Sequence, residues 1–313
     1  MPWAPAPPIA LGADSLAIVS KARSGSKERL EPARAGRRRF LLGGAGVAGA
    51  AVVGRASMGS AAASLLDTGV PRAQVEASNS VGPVTGGPPL ALGVRRVIWS
   101  VDVDQPAFAL TFDDGPDPEF TPQILDILAE RKLTATFNMM GWNADQHPDL
   151  ARAVVAAGHE LANHTWTHLD LAYEAPDSTY DEMRKGKDVI TAVTGQVPRF
   201  FRPPRGELTG CALRTAALLD HDVLLYTMFG DIAGVETPER VARYVDETLA
   251  AGHVIVFHDG IGRGTFNRSS SSARDLAARR HAEIEALPRI LDAAMAKGLR
   301  PMSASQLLTH ERA

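Results

Sequence analysis

The chain has 313 residues, 45% of them hydrophobic, which is enough apolar material for one large packed domain or two modest ones. Its single cysteine, Cys211, excludes an intramolecular disulfide and a thiolate metal cluster, so a metal would have to be held by His, Asp and Glu side chains. Residues 1–60 are basic, but the remainder carries 24 Lys and Arg against 33 Asp and Glu, and a net charge of −9 argues against a nucleic-acid partner.

The basic charge near the start precedes a short apolar segment. Three arginines, at positions 37–39, are followed by Phe40-Leu41-Leu42 and by a run rich in Ala, Gly and Val that ends at Val53. The pattern resembles a twin-arginine export signal, because the apolar run is too short and too Gly-rich for a membrane span of about 20 residues. We expect residues 1–63 to be such a signal with a long N-terminal extension. Cleavage would leave an extracellular or cell-wall protein with no stable membrane span, and an uncleaved amphipathic anchor is the alternative.

Residues 64–105 are expected to be a linker and lead-in, because Ser64 to about Pro89 is rich in Gly, Pro, Ser and Val and shows no periodicity. Over residues 106–310, strand-like apolar runs alternate with amphipathic helices, which predicts a parallel sheet wrapped by helices. The predicted strands are Ala107–Phe112, Ala135–Met139, Glu160–Asn163, Arg199–Arg202, Val223–Phe229, Val254–Phe257 and Arg300–Met302. Helices are predicted from Thr121-Pro122 and over Pro148–Ala157, Tyr180–Val193, Cys211–Leu219, Pro238–Ala250 and Ala282–Ala296. A barrel and a doubly wound sheet both fit this alternation.

Polar groups follow several predicted strands, at the carboxyl edge where parallel α/β folds build active sites. Asp113 and Asp114 end the first strand before a Gly-Pro turn, so one carboxylate can ligate a metal while the other accepts protons. An ordinary turn is the alternative. His164 and His168 stand four residues apart after another strand, and with a carboxylate they would complete an open three-ligand site. Isolated surface or core histidines are the alternative for that pair.

Two more polar residues end predicted strands. His258 follows the buried run Val254–Phe257, the position of a general acid or base, although a hydrogen-bonded histidine at a strand end would look the same. Arg202 precedes two prolines that make its loop rigid, and its alternative is a surface arginine beside a turn.

These pieces occur in a fixed order along the chain. The motifs are Thr111-Phe112-Asp113-Asp114-Gly115-Pro116, His164-Thr165-Trp166-Thr167-His168, Arg202-Pro203-Pro204 and the strand-terminal His258-Asp259. In combination they resemble the polysaccharide deacetylase family, also called the NodB-homology or carbohydrate esterase family 4 domain, over about Ala107 to Leu308. The resemblance implies a single catalytic domain with a distorted (β/α) barrel of about seven strands. It also implies a metal-dependent hydrolase that removes N-acetyl groups from peptidoglycan or a chitin-like glycan and releases acetate.

The resemblance implies a metal site and a general base. Asp114, His164 and His168 would hold a divalent metal, with zinc expected and cobalt or another transition metal as the alternative. Asp113 would take a proton from the attacking water, and Arg202 would keep Asp113 ionised and oriented.

The remaining roles concern the leaving group and the sugar. By the same resemblance, His258 would protonate the leaving amine, and Asp231 would orient His258 and favour its protonated form. The backbone N–H of Arg205 would stabilise the oxyanion, and Val256 would line the acetyl-methyl pocket.

The sequence departs from the family pattern where a sugar would bind. Arg205 stands where the family usually has Tyr, and Asp231 is followed by Ile232 where the family commonly has Trp. Trp142 or Trp166 can replace that platform, although core packing would explain either residue. Two alternatives therefore stay open: a de-O-acetylase or hydrolase of another amide on the same metal site, and a catalytically silent glycan-binding barrel. Residues 260–280 are expected to form a solvated loop, with a flexible lid as the alternative.

Overall fold

The computed structural model describes residues 95–230 and 237–312 of the chain. The predicted export signal over residues 1–63, the linker up to residue 94, and Asp231 with Ile232 lie outside the described residues. None of the helices in the described ranges is long and apolar enough to cross a membrane.

Nine strands of the described residues form one parallel sheet that curves into an incomplete barrel. They are β1 (Val97–Ile98), β2 (Ala107–Asp113), β3 (Thr136–Met139), β4 (Glu160–Asn163), β5 (Phe200–Phe201), β6 (Asp222–Leu224), β7 (Met228–Phe229), β8 (Val254–His258) and β9 (Arg300–Met302). The hydrogen-bonded order is β1-β6-β5-β4-β3-β2-β8-β7, and β9 pairs with the first residues of β2. The predicted (β/α) barrel is confirmed, and its path ends at β1 and β7, which do not pair within the described residues.

Eight α-helices of the described residues connect and cover the strands. They are α1 (Thr121–Arg131), α2 (Gly141–Gln146), α3 (Pro148–Ala156), α4 (Pro176–Thr194), α5 (Gly210–Leu218), α6 (Pro238–Thr248), α7 (Ser271–Ala296) and α8 (Ala304–Leu308). Proline occupies the first turn of α1, α3, α4 and α6, where its missing N–H has no partner to lose.

The structure corrects the predicted elements in two places. The run Val223–Phe229 is divided into β6 and β7 instead of forming one strand, and β1 is too short to show periodicity in sequence. Helix α7 begins at Ser271 instead of Ala282, so much of the segment expected to be a loop is helical. The reason is a cap, because the Ser270 hydroxyl accepts a hydrogen bond from the Ala273 N–H at 3.1 Å.

Side chains of β2 alternate between two hydrophobic layers. Phe108, Leu110 and Phe112 pack outward against the helices, whereas Ala107 and Ala109 meet side chains of other strands in the barrel interior. Because successive strand residues point to opposite faces, Thr111 and Asp113 share the inward face. The carboxylate of Asp113 therefore ends up at the carboxyl-terminal mouth of the barrel.

Candidate active site

The structure brings together the three residues predicted to hold a metal. Asp114 follows β2, and His164 and His168 follow β4. Asp114 Oδ1 lies 3.5 Å from His164 Nε2 and 3.3 Å from His168 Nε2. One ligand atom of each residue lies within 4.8 Å of the other two. This convergence permits a common cation, while their role as ligands stays a prediction.

The chemistry of these three groups fits a divalent metal. Asp114 Oδ1 is buried and accepts no hydrogen bond from the described residues, so it has a free lone pair facing two imidazoles. The His164 Nδ1–H donates to the Arg202 carbonyl oxygen at 2.8 Å, which directs Nε2 toward Asp114. One carboxylate and two imidazoles form a set that suits zinc with an open position.

Burial and neighbouring charges act in opposite directions on these groups. Burial raises the pKa of Asp114, but the histidines around it, His168 foremost, hold it well below its ordinary value. Burial lowers the pKa of His168 to about 4, so that its imidazole is neutral near pH 7 and can donate a lone pair. Burial would also lower the pKa of His164, but Asp113 and then Asp114 raise it above its usual value.

Backbone conformation in this region is unusual for the residues present. Asp114, Thr165 and His168 have φ values of 80°, 68° and 57°, in the left-handed region that favours glycine. The His168 N–H donates to Thr165 Oγ1 at 3.0 Å, which closes the loop between the two histidines. Helix α4 supports that loop through Gly186, where a Cβ would lie 2.7 Å from the Thr165 carbonyl carbon. Strain of about 1–3 kcal/mol per residue is typical of functional sites.

Asp113 is held by a buried polar network. Its Oδ1 accepts hydrogen bonds from Arg202 Nη1 and from Asn138 Nδ2, each at 2.7 Å. Its other oxygen, Oδ2, lies 3.8 Å from His164 Nε2. The predicted contact between Arg202 and Asp113 is present, and Asn138 is a residue that the sequence reasoning missed. The sequence feature that could have indicated it is a polar residue inside an apolar strand. The structure places Asn138 in register with Asp113 on β2.

The guanidinium of Arg202 is fully buried, and every part of it has a partner. Nη1 also donates to Thr111 Oγ1 at 2.7 Å, while Nε and Nη2 donate to the carbonyl oxygens of Leu224 and Leu225 at 3.0 and 3.1 Å. Arg202 therefore ties the ends of three strands to the Asp113 carboxylate.

His258 lies opposite Asp113 in the β2–β8 register. Its Nδ1 is 3.2 Å from Glu283 Oε1, and its backbone N–H donates to Glu283 Oε2 at 3.0 Å. Asp231, the predicted partner of His258, lies outside the described residues. Glu283 was missed because a Glu in a long helix reads as a surface charge. Its one signal was its position beside Ala282 and Ile284, in the stretch of α7 that is buried.

Arg280 and Glu283 face the site from the same helix. Arg280 is 3% exposed, and its Nε donates to the Gly260 carbonyl oxygen at 2.9 Å. Its Nη2 lies 3.7 Å from Asp114 Oδ2, and its Nη1 lies 3.9 Å from Glu283 Oε1. Helix α7 thus places a positive charge between two buried carboxylates.

The segment after β8 supports the segment after β2. The Gly115 N–H donates to Asp259 Oδ1 at 3.0 Å, and Thr121 Oγ1 donates to Asp259 Oδ2 at 2.8 Å. Burial raises the pKa of Asp259 to about 8. Gly260 leaves no space for a side chain, because a Cβ there would lie 2.5 Å from the Asp114 carbonyl carbon.

Arg205 and Val256, which are predicted to contact the substrate, both lie within the described residues. Arg205 has a φ of 60°, and its exposed guanidinium lies 3.6 Å from Asp170 Oδ2. Its carbonyl oxygen accepts a hydrogen bond from the Tyr226 hydroxyl at 3.0 Å. Val256 is buried two residues before His258, on the same face of β8. The roles proposed for Arg205 and Val256 stay predictions.

Three aromatic rings pack beside the histidine loop. Trp166 is buried and meets Trp142 edge to face, with ring centroids 5.4 Å apart. Phe266, which is 42% exposed, lies 5.3 Å from the Trp142 ring. Trp166 is therefore a packing residue, and the rings that reach solvent are Trp142 and Phe266.

Comparison with known proteins identifies the class of protein. The polysaccharide deacetylase family profile matches residues 100–224. A peptidoglycan-N-acetylglucosamine deacetylase of Bacillus cereus is 30% identical over 217 residues, which cover 69% of this chain and 94% of that protein. A chitooligosaccharide deacetylase of a Bradyrhizobium species is 32% identical over 206 residues, covering 66% of this chain and 91% of that protein. The chain belongs to the polysaccharide deacetylase family.

A solved structure agrees with this assignment. A peptidoglycan N-acetylglucosamine deacetylase in complex with an N-oxidanyl-benzamide compound superposes with a TM-score of 0.60 at 28% identity, covering 70% of this chain and 96% of that one. The predicted family, barrel and polysaccharide deacetylase activity are confirmed. Members of the family are metal-dependent in general, and Asp114, His164 and His168 form a possible metal site.

Proposed function

We propose that the protein removes N-acetyl groups from a glycan of the peptidoglycan or chitin type and releases acetate. The observation that carries the proposal is the Asp113 carboxylate, which is fixed through Oδ1 while Oδ2 lies 3.8 Å from His164 in the metal-ligand cluster. The relatives that support it are a peptidoglycan-N-acetylglucosamine deacetylase and a chitooligosaccharide deacetylase.

Zinc is the metal proposed for Asp114, His164 and His168, because two imidazoles and one carboxylate match its preferred ligands. A bound divalent cation would polarise the acetamide carbonyl and lower the pKa of a water molecule. Cobalt or another transition metal would suit the same donors.

Asp113 and His258 each carry out one of the two proton transfers. Asp113 Oδ2 takes a proton from water as the water oxygen bonds to the acetamide carbon, while Arg202 and Asn138 hold the carboxylate in place. His258 then donates a proton to the amine nitrogen as the carbon–nitrogen bond breaks, so acetate and a free sugar amine leave. The backbone N–H of Arg205 would donate to the oxyanion, and Val256 would line the acetyl-methyl pocket.

We infer that the protein works outside the cytoplasm, where such glycans are found. The support is the sequence pattern of residues 1–63, with its three arginines before a short apolar run. No nucleic-acid partner is proposed, because the body of the chain is acidic.

The proposed function is tested by acetate release from N-acetylglucosamine oligomers and from peptidoglycan. Protein stripped by a chelator should be inactive, and zinc or cobalt should restore release; the variant Asp114→Ala should stay inactive after the same addition. Acetate released from acetylated xylan alone would favour the ester reaction. Glycan binding that is unaffected by the chelator, with no turnover of any substrate, would show that the barrel is a catalytically silent glycan-binding module.

A further inference from the structure

We propose that Glu283 is the residue that positions His258 to protonate the leaving amine. This role rests on the proposed function, because it concerns the acid step of that reaction. Glu283 lies on α7, and its carboxylate side chain is only 2% exposed. It binds His258 at two points, the ring Nδ1 and the backbone N–H.

The two contacts determine which ring nitrogen faces the substrate. A carboxylate accepts hydrogen bonds but donates none, so the Nδ1 atom of His258 carries the proton that Glu283 accepts. The other nitrogen, Nε2, is then the one that exchanges a proton with the leaving amine. The backbone N–H of His258 donates to the same carboxylate at 3.0 Å and so holds Glu283 beside the ring. Rotation of the ring away from the site would break the hydrogen bond between Nδ1 and Glu283.

Charged side chains from two elements lie around His258. Helix α7 contributes Glu283 and Arg280, β2 contributes Asp113, and Asp114 follows β2. Arg280 lies 3.9 Å from Glu283 and offsets part of the cost of burying the Glu283 carboxylate. Arg280 is itself held by the Gly260 carbonyl oxygen, so the carboxylate sits between a fixed guanidinium and the His258 ring.

Burial of a carboxylate is unfavourable when no charge or hydrogen bond compensates it. Glu283 is buried, which a purely surface role would not require. Glu285 on the same helix is exposed. The two residues therefore form a matched pair for testing, one inside the site and one outside it.

The test compares substrates with different leaving groups. Glu283→Gln should lower kcat on N-acetylglucosamine oligomers by about 10–100-fold, the usual effect of losing an orienting partner, with KM within about 2-fold. Hydrolysis of 4-nitrophenyl acetate should stay within about 2-fold, because its leaving group departs without protonation. Glu285→Gln should match wild type on both substrates. The double variant Glu283→Gln, His258→Asn should turn over the oligomers little more slowly than His258→Asn alone, because both changes affect the same proton transfer.

Several outcomes would overturn the proposal. Unchanged oligomer turnover in Glu283→Gln would do so, and so would an equal loss on both substrates, which would indicate a role in folding or metal binding. A selective loss in Asp231→Asn but not in Glu283→Gln would assign the positioning role to Asp231.

A second readout does not depend on turnover. If wild-type protein releases no acetate from any glycan, the proposed function fails, and nitrogen-15 NMR of the histidine rings still tests the contact. The Nδ1 proton of His258, assigned with His258→Asn, should resonate far downfield in wild type and in Glu285→Gln, and should move upfield in Glu283→Gln. An unchanged resonance would overturn the assignment.

Discussion

Arg202 Nη1 lies 2.7 Å from Asp113 Oδ1, and this pair is enclosed at the mouth of the barrel with the guanidinium fully buried. The other guanidinium hydrogen bonds go to the carbonyl oxygens of Leu224 and Leu225 and to Thr111. Arg202 therefore both holds the carboxylate proposed as the general base and anchors the strand ends, so changing Arg202 should affect both stability and turnover.

Arg202→Lys keeps the positive charge but cannot reproduce the planar set of donors. We expect the free energy of unfolding to fall by at least about 2 kcal/mol, because buried carbonyl oxygens lose their partners. Urea denaturation would measure the change. Arg199→Lys, which alters an exposed pair with Asp222, should stay within about 0.5 kcal/mol of wild type. Equal stability of both variants would contradict the buried network.

Asp113→Asn removes the proposed proton acceptor while nearly preserving its shape. Turnover of N-acetylglucosamine oligomers should fall by about 10²–10⁴-fold, and metal affinity should change little because Asp113 is not among the three proposed ligands. Calorimetric titration of the stripped protein with zinc would check the second point. The exposed Asp145→Asn serves as control. Near-normal turnover in Asp113→Asn would refute its role as base.

Metal affinity should weaken as the pH falls. Burial opposes protonation of His164, but Asp113 and Asp114 raise its pKa above the usual value, so a proton competes with the metal for Nε2 up to a higher pH than for a free histidine. Below that pKa the ring is charged and cannot bind a cation, and above it the competition ends. Zinc titrations at pH 6, 7 and 8 should give a dissociation constant that decreases with pH. They should also show proton release on binding, measured in buffers of different ionisation enthalpy. A dissociation constant independent of pH would contradict this account.

Gly186→Ala should displace the loop that carries the two histidines. The added Cβ would lie 2.7 Å from the Thr165 carbonyl carbon, which is backbone and cannot rotate away. We expect a loss of about 1–3 kcal/mol in stability, the usual cost of overpacking, together with weaker zinc binding. Gly210→Ala, whose new Cβ would meet nothing within 4 Å, should be neutral or slightly stabilising. Thermal unfolding with and without zinc would separate the two effects.

Much of this architecture follows from sequence because each polar motif ends an apolar strand. Parallel strands place their carboxyl ends at one edge, so Asp114, His164 and His168 could be expected to meet although far apart in the chain. The contact between Arg202 and Asp113 is an expectation of the family resemblance alone.

The residues that sequence reasoning missed act from positions that carry no motif. Asn138 sits inside a predicted strand, and its importance depends on the register that sets it beside Asp113. Glu283 reaches His258 only because α7 crosses behind β8 with that side of the helix buried. Helix packing and strand register depend on residues far apart in the chain, and the hydrophobic periodicity of a sequence does not predict them.

Gly260 packs against the Asp114 backbone, and Asp259 holds Gly115, although the two segments are separated by 144 positions in the chain. Neither segment can change alone without moving a proposed metal ligand or the residue beside the proposed base. In laboratory evolution toward new glycans, accepted substitutions should therefore avoid both segments. Accepted substitutions should occur instead at exposed positions around the mouth of the barrel, such as Arg205 and Phe266. Changes there can alter glycan specificity without moving the proposed reacting groups.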